Sequence, residues 1–232
     1  MNKTIVVLGM HRSGTSLVAG VLHHLGVNMG KEMLGGDRFN PFGHFENKKI
    51  IKLNEEILKE AGGSWYAPPS SEKILKVREK FKNKIKEIIE SEKSKLWGFK
   101  DPRTSLTIEL FLPFLENPYF IVCYRNKREI IKSLIRRDKM NFEYASRLID
   151  LYYERITKFF EAHRDLRRIN VKYEEMMRKP RVVLEKIICF LDIQVTEDAV
   201  KKALSFVHSR FEVKIAKILC RIKGFFERIT KI

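Results

Sequence analysis

A short apolar run, Ile5 to Leu8, passes through a glycine-containing segment directly into a helical pattern that begins near Leu17. The segment between them, residues 9–16, has the sequence Gly-Met-His-Arg-Ser-Gly-Thr-Ser. A buried strand that turns through glycines into a helix aims several backbone N–H groups, and the positive end of the helix dipole, at one place. This pattern predicts an α/β chain with an anion-binding loop at residues 9–16.

One position separates this loop from the common nucleoside-triphosphate loop, Gly-x-x-x-x-Gly-Lys-[Ser/Thr]. Gly9 and Gly14 keep the glycine spacing, but Thr15 occupies the lysine position. That lysine would normally reach the β- and γ-phosphates of ATP. Because the cation in this loop is Arg12 instead, the sequence argues against an ordinary ATPase and predicts Arg12 as an anion ligand. A P-loop kinase of a small metabolite remains the first alternative, although no magnesium-binding aspartate is evident after an apolar strand.

Strand and helix patterns alternate along the rest of the chain. Apolar runs predict further strands at 96–99, 118–124 and 169–173. Helical periodicity predicts helices at 47–61, 71–92, 104–116, 125–137, 142–164 and from Pro180 onward. Such alternation predicts a parallel sheet with crossover helices. We therefore expect one P-loop-like three-layer α/β domain over residues 1–207, with helices flanking a central parallel sheet.

The chain is strongly basic, with 46 Lys and Arg against 29 Asp and Glu and a formal net charge of +17. This charge favours polyanions or multiply charged small molecules as partners, but its sign does not distinguish between them. A non-catalytic nucleic-acid-binding domain is the second alternative. Since the sequence contains no recognisable recognition-helix module or aromatic-basic strand motif, we expect no nucleic-acid partner.

Cysteine and histidine usage predicts neither disulfides nor a metal site. The three cysteines, Cys123, Cys189 and Cys220, lie in apolar segments without Cys-x-x-Cys spacing, so buried free thiols are expected. The histidines show no ligand spacing. The first strand begins almost at residue 1 without a charged leader, and no apolar stretch approaches the ~20 residues that span a bilayer. We expect a cytoplasmic location.

The C-terminal segment, residues 208–232, has a composition of its own. It carries seven Lys or Arg against two Glu, and its apolar residues recur at helical spacing. This pattern predicts a basic amphipathic helix. Such a helix packs on its own domain or on a partner, or it rests on a membrane surface, which would here be the inner membrane face.

Four separated segments together resemble the sulfotransferases that use 3'-phosphoadenosine 5'-phosphosulfate (PAPS), in particular the bacterial carbohydrate and tyrosylprotein branches. Residues 9–16 resemble the family's 5'-phosphosulfate loop. Arg125 and Ser133, eight positions apart after a strand, resemble its 3'-phosphate motif. Residues 97–103, Trp-Gly-Phe-Lys-Asp-Pro-Arg, are similar to its Lys-Asp-Pro segment, and residues 171–191 are similar to its late Tyr-Glu-Asp-Leu…Pro…Phe-Leu stretch.

The resemblance implies a nucleotide sulfate donor, an acceptor hydroxyl on a glycan, glycolipid or protein, and no metal. It implies that the donor contacts the following residues: His11, Arg12, Ser13, Gly14, Thr15, Ser16, Arg125, Ser133 and Tyr173. Sulfuryl transfer is an in-line displacement, which needs positioning, charge stabilisation at the leaving oxygen and a base for the acceptor hydroxyl. Arg12 is expected to supply the charge stabilisation.

The base is expected to be a carboxylate near the loop. Glu46 ends a glycine-rich irregular connection, residues 27–45, and lies in an Asn-Pro-x-Gly-x-x-Glu stretch that resembles bacterial relatives. We select it as the base, while a helix-capping role is the competing interpretation. Asp101 is the second catalytic candidate and could instead pair with Arg103 or Lys100. Further base candidates are Glu32, His11 and His44, and the acceptor site is expected to include Lys100, Arg103 and Trp65.

Overall fold

Four parallel strands form the centre of the part of the chain that this computed structural model describes, residues 2–38 and 40–209. In chain order they are β1 (Lys3–Leu8), β2 (Leu96–Lys100), β3 (Pro118–Tyr124) and β4 (Arg167–Lys172). They lie in the order β2-β1-β3-β4, and Val7 pairs with Lys100 on one side and with Ile121 on the other. Because β1 is parallel to both neighbours, the carboxyl ends of β1, β2 and β3 meet at one edge, where open α/β sheets bind their ligands.

Helices cover both faces of this sheet. In chain order they are α1 (Thr15–His24), α2 (Lys48–Glu60), α3 (Ser71–Lys76), α4 (Arg78–Glu92), α5 (Thr104–Phe111), α6 (Lys127–Asp138), α7 (Phe142–Ala162), α8 (Tyr173–Arg178) and α9 (Pro180–Leu191). Residues 197–209 are also helical.

Alternate strand residues face opposite helical layers, as expected for a pleated sheet buried on both sides. Val6 and Phe120 lie in the apolar cluster that includes α2, α4, α5, α6 and α7. Val7 and Ile121 lie in the cluster that includes α1, α9 and residues 197–209. The predicted three-layer α/β fold with a central parallel sheet is therefore confirmed.

Several element boundaries differ from the sequence expectation. The single helix expected at 71–92 is two helices, because Val77 leaves the helical conformation with φ −89° and ψ 3°. The helix expected at 104–116 ends at Phe111 and continues as a 3-10 turn, Leu112–Phe114, because Pro113 lacks an N–H group. Tyr173 begins α8 and does not end β4.

The expectation of buried thiols is correct for Cys123 and wrong for Cys189. Cys189 is exposed because α9 turns Leu184, Ile187 and Leu191 into the core and presents position 189 on its outer side.

The predicted C-terminal amphipathic helix, residues 208–232, lies outside the described residues from position 210 onward. None of the helices in the described ranges combines the length and the apolar character that crossing a bilayer requires.

Candidate functional site

The anion-binding loop joins β1 to α1 and is fixed against the neighbouring layer. Gly9 N donates to Ser105 Oγ on α5 over 3.0 Å. Arg12 and Gly14 both have left-handed backbones, with φ 70° and 99°. Gly14 is the N-cap of α1 and offers no side-chain acceptor to its first N–H groups. The start of α1 thus keeps the backbone donors and the dipole that bind anions.

Gly14 is required for a second reason besides its backbone angle. A Cβ at this position would lie 2.7 Å from the ring of Tyr173. Arg125 also lies against that ring, with its guanidinium carbon 4.4 Å from the ring centroid. Tyr173 therefore contacts both the loop and Arg125.

The two predicted phosphate motifs are in direct contact. Arg12 Nε donates to Ser133 Oγ on α6 over 2.8 Å. Arg125 Nη1 donates to the carbonyl oxygen of Arg12 over 3.1 Å. Since β1 and β3 are adjacent and parallel, their following loops share one edge of the sheet, and the residues expected at opposite ends of one ligand meet there.

Positive charge is concentrated at this contact. Burial, together with the neighbouring guanidinium groups of Arg137, Arg125 and Arg136, lowers the pKa of Arg12 to about 10, and Asp138 only partly opposes this effect. A guanidinium that is destabilised by like charges is a ready partner for an anion.

The residues present fit a nucleotide that carries two separate anionic groups. Arg125 Nε is buried and has no hydrogen-bond partner within residues 2–38 and 40–209. A buried donor of this kind costs free energy until an acceptor reaches it. Phosphate oxygens would satisfy Arg125 and would relieve the crowding around Arg12 at the same time.

A buried ion pair lies beside the loop, at the end of β2. Lys100 Nζ contacts Glu46 Oε1 and also donates to Ser16 Oγ over 3.2 Å. Lys100 is fully buried and Glu46 is 7% exposed. The cap of α2 is Asn47, whose side chain accepts from two backbone N–H groups, so Glu46 is not the capping residue. The structure thus brings a carboxylate, an amine and the anion-binding loop together.

Asp101 is held in a different network. Its Oδ1 accepts from the backbone N and Nη1 of Arg103 over 3.1 and 3.0 Å, and its Oδ2 accepts from Asn54 over 2.9 Å. Burial raises the pKa of Asp101, and Arg103 opposes the rise. Arg103 also binds Glu55 over 3.0 Å. Asp101 therefore takes the pairing with Arg103 that the sequence left open, whereas Lys100 pairs with Glu46.

His11 is buried against aromatic rings, and its Nε2 has no hydrogen-bond partner within the described residues. Its centroid lies 4.3 Å from the Trp65 ring and 6.2 Å from that of Tyr152. Arg137 lies 5.5 Å from the Trp65 ring, so Trp65 bridges the loop and the arginine cluster. Burial lowers the pKa of His11 well below its ordinary value, and the nearby cations, Arg103 first among them, add to this effect. His11 is consequently neutral at physiological pH.

Titration of His11 should be visible in the pH dependence of stability. His11 of the unfolded chain takes up a proton near pH 6.5, but His11 of the folded chain does so only at lower pH. The contribution of neutral His11 to the free energy of unfolding is therefore fully present above pH 6.5 and decreases as the pH falls below that value. On acidification, a His11→Gln variant should lose less of its free energy of unfolding than the wild type does. The difference between the two proteins should reach up to about 1.4 kcal/mol per pH unit. Urea unfolding at pH 7.5, 6.0 and 5.0 measures the difference. The exposed His208→Gln change is the control, and parallel curves for wild type and His11→Gln would contradict the prediction.

The remaining base candidates lie in other surroundings. Glu32 is exposed, and its carbonyl oxygen accepts from Lys48 N over 2.9 Å. His44 Nε2 lies 3.2 Å from the Asp37 carboxylate. Across the described ranges, no three His, Cys, Asp or Glu side chains converge as a metal site would require.

Sequence reasoning missed several residues that shape the site. They are Ser105, Asn54, Arg136 and Tyr152. Each lies within a helix and resembles any polar or aromatic helix residue in sequence. Only the packing of the helices on the sheet reveals their roles.

Comparison with known sequences gives a family match over most of the chain. A sequence model of the sulfotransferase family matches residues 4–198, a range that includes the loop, the Lys100–Glu46 pair and both arginine motifs. No curated protein sequence gives a significant match.

Three solved structures share the fold. The sulfotransferase domain of the olefin synthase from Synechococcus PCC 7002 has 20% identity and a TM-score of 0.54, covering 88% of this chain and 79% of that one. A sulfotransferase from Mycobacterium avium has 17% identity and a TM-score of 0.56, covering 90% and 68%. A sulfotransferase from Alicyclobacillus acidocaldarius has 12% identity and a TM-score of 0.51, covering 93% and 96%. These identities show the fold alone, whereas the family match covers most of the sequence, and the chain therefore belongs to the sulfotransferase family.

Proposed function

We propose that this sulfotransferase uses PAPS as its donor and transfers the sulfuryl group to a hydroxyl of a glycan or glycolipid. The observation that carries the donor assignment is the contact between the two arginine motifs, through Arg12 and Ser133 and through Arg125 and the Arg12 carbonyl. PAPS has phosphate groups at the 3' and 5' positions of one nucleoside, so it needs two neighbouring anion sites. Adjacent strands β1 and β3 provide a pair of this kind.

Different residues of the chain would bind different parts of the donor. The backbone of His11 to Ser16, with Arg12, would hold the 5'-phosphosulfate. Arg125 would bind the 3'-phosphate through its planar fork, with Ser133 adding a hydroxyl. Tyr173 stays the proposed neighbour of the adenine, and its packing against Gly14 and Arg125 supports a place beside the nucleoside. When bound, the donor supplies the sulfuryl group and a phosphate leaving group.

Glu46 is the proposed general base. Its Oε1 contacts Lys100, so its Oε2 would take the proton from the acceptor hydroxyl. Lys100 would remain between Glu46 and Ser16, beside the loop, and its positive charge would stabilise the charge that develops on the leaving oxygen. Arg12 would neutralise the departing 5'-phosphate. Asp101 would hold Arg103 in place for the acceptor, since both of its oxygens are already engaged.

Aromatic side chains support a sugar-containing acceptor. Trp65 packs on His11 of the loop, and Tyr66, half exposed, meets the Trp65 ring edge-on at 5.6 Å. Aromatic faces offer apolar area next to polar groups, which suits the mixed surface of a sugar ring. Lys100 and Arg103 would complete this acceptor site with charge.

Calorimetric titration with 3'-phosphoadenosine 5'-phosphate (PAP) beside ATP tests the donor assignment. We expect PAP to bind at least about 100-fold more tightly than ATP, a difference of about 2.7 kcal/mol, because ATP lacks the 3'-phosphate that Arg125 would hold. Transfer of radiolabelled sulfate from PAPS to oligosaccharides, a glycolipid and a tyrosine peptide then ranks the acceptors. Tighter binding of ATP, with phosphorylation of a metabolite, would instead support the kinase alternative.

A further inference from the structure

The helix at residues 197–209 lies almost entirely beyond the family match, which ends at residue 198. Ala203 and Val207 on this helix are buried against the α1 side of the sheet. Phe206 lies over α1 at Gly20, where an added Cβ would collide with the Phe206 ring. Glycine within a helix costs about 1 kcal/mol relative to alanine. The close approach of Phe206 explains why a glycine is needed there.

Phe206 also contacts the segment that carries the proposed base. Its ring meets Phe45 edge-on, with centroids 5.5 Å apart and planes at 88°, and meets Phe42 in the same way at 6.3 Å. The Phe45 ring also contacts His23, with ring centroids 5.6 Å apart. Edge-to-face pairs of this kind contribute about 0.5–1.5 kcal/mol each beyond their buried area. Residues 42–45 therefore rest on the 197–209 helix.

The backbone at Phe45 needs such support. Phe45 has φ 53°, a left-handed conformation that costs a non-glycine residue about 1–3 kcal/mol and persists only where the surroundings impose it. The next residue is Glu46, so the direction of its side chain depends on this backbone conformation. The backbone of Glu46 is also fixed by a hydrogen bond, because its carbonyl oxygen accepts from Leu34 N over 2.7 Å.

We infer that Phe206 is a positioning residue for the Glu46 carboxylate, acting through the ring and the left-handed backbone of Phe45. The inference rests on the proposed role of Glu46 as the base. It makes the helix beyond the family match part of the working enzyme, because that helix holds Glu46 against Lys100 beside the loop.

The test compares Phe206→Ala and Gly20→Ala with Ser205→Ala in the full chain. A Cβ at Gly20 would lie 2.3 Å from the Phe206 ring and 2.9 Å from the Phe45 ring, so Gly20→Ala displaces the contact between the two rings without removing either of them. Ser205 is the exposed neighbour on the same helix. In both test variants we expect amide hydrogen exchange to accelerate by about tenfold or more at Gly43, whose N–H donates to the Asn40 carbonyl, and at Leu34, whose N–H donates to the Glu46 carbonyl. Exchange in the central strands should stay as in Ser205→Ala. Phe206→Leu should restore most of the protection.

Function is measured in the same variants by PAP titration and by release of radiolabelled sulfate from PAPS with water as the acceptor. We expect PAP affinity within about twofold of wild type and a release rate lowered by about tenfold in Phe206→Ala. Unchanged exchange at Gly43 and Leu34, or a release rate equal to that of Ser205→Ala, would overturn the inference. If Glu46→Gln itself keeps the full release rate, the base assignment fails instead.

Discussion

The Arg12→Ala and Arg125→Ala variants are each expected to bind PAP at least about 100-fold more weakly than the unchanged chain, as measured by calorimetric titration. Removing one member of a buried, hydrogen-bonded charge pair typically costs about 2–5 kcal/mol. The Arg12 side chain donates to Ser133 Oγ, so Arg12→Ala removes a ligand and the partner of Ser133, whereas the Arg12 carbonyl that accepts from Arg125 remains. In the absence of nucleotide, the same Arg12→Ala change should not lower thermal stability, because crowding by Arg137 and Arg125 disfavours its charge in the folded chain.

The matched control for both variants is Arg128→Ala. Arg128 is exposed on α6, three positions from Arg125, and its removal lowers the net charge by the same amount. We expect its effect on PAP binding to stay within about threefold and to vanish at high salt. Equal losses in Arg128→Ala and Arg12→Ala would mean that the basic chain attracts the nucleotide through its overall charge. Unchanged affinity for PAP in Arg12→Ala would mean that Arg12 of the loop is not part of the donor site.

The fold and the meeting of the two arginine motifs were predictable because their signals are local. A buried strand followed by glycines and a helix marks the loop between β1 and α1 within a few residues. Arg125 likewise follows directly after the end of a strand, and Ser133 lies about two helical turns further along the chain. Parallel strands then place both motifs at one edge, and the contact between Arg12 and Ser133 is the result.

The surroundings of the Lys100–Glu46 pair were only partly predictable because their contacts join distant parts of the chain. Lys100 and Glu46 are 54 positions apart, and their pairing depends on the register that sets Lys100 opposite Val7. The sequence suggested both residues but left Lys100 free to pair with Asp101. Ser105 binds Gly9 from 96 positions away, and nothing local distinguishes it from other helix serines.

Local rules also failed where two of them competed. The apolar stripe from 71 to 92 continues through Val77, so its periodicity did not predict the break between α3 and α4. At residue 173 the aromatic side chain favoured a strand end, whereas the backbone has already begun α8. In that position Tyr173 reaches Gly14 and Arg125, which a strand residue pointing into the core would not do.

The Glu46→Gln variant is expected to lose about 10²- to 10⁴-fold in sulfuryl transfer while keeping its affinity for PAP. Glutamine keeps the shape of the side chain and an oxygen for the Lys100 contact, but it does not accept a proton at neutral pH. PAP affinity should persist because Glu46 contacts Lys100 and not the arginine cluster. Initial rates with radiolabelled PAPS and the best acceptor from the panel measure the first quantity, and calorimetry measures the second.

Two further carboxylate variants separate a lost base from a damaged site. Glu32→Gln removes an exposed carboxylate and should leave the transfer rate within about twofold. Asp101→Asn should lower stability by about 3–5 kcal/mol, because it leaves the buried Arg103 guanidinium without its main partner. Glu46→Gln likewise removes the charge partner of the fully buried Lys100 and should also cost stability, so each transfer rate is divided by the folded fraction before the variants are compared. The corrected rate should fall far less in Asp101→Asn than in Glu46→Gln. Full turnover by Glu46→Gln would move the base to Asp101 or Glu32, and the transfer rates of Asp101→Asn and Glu32→Gln, each divided by its folded fraction, would then decide between them, because the loss of a base lowers the rate of the folded protein itself.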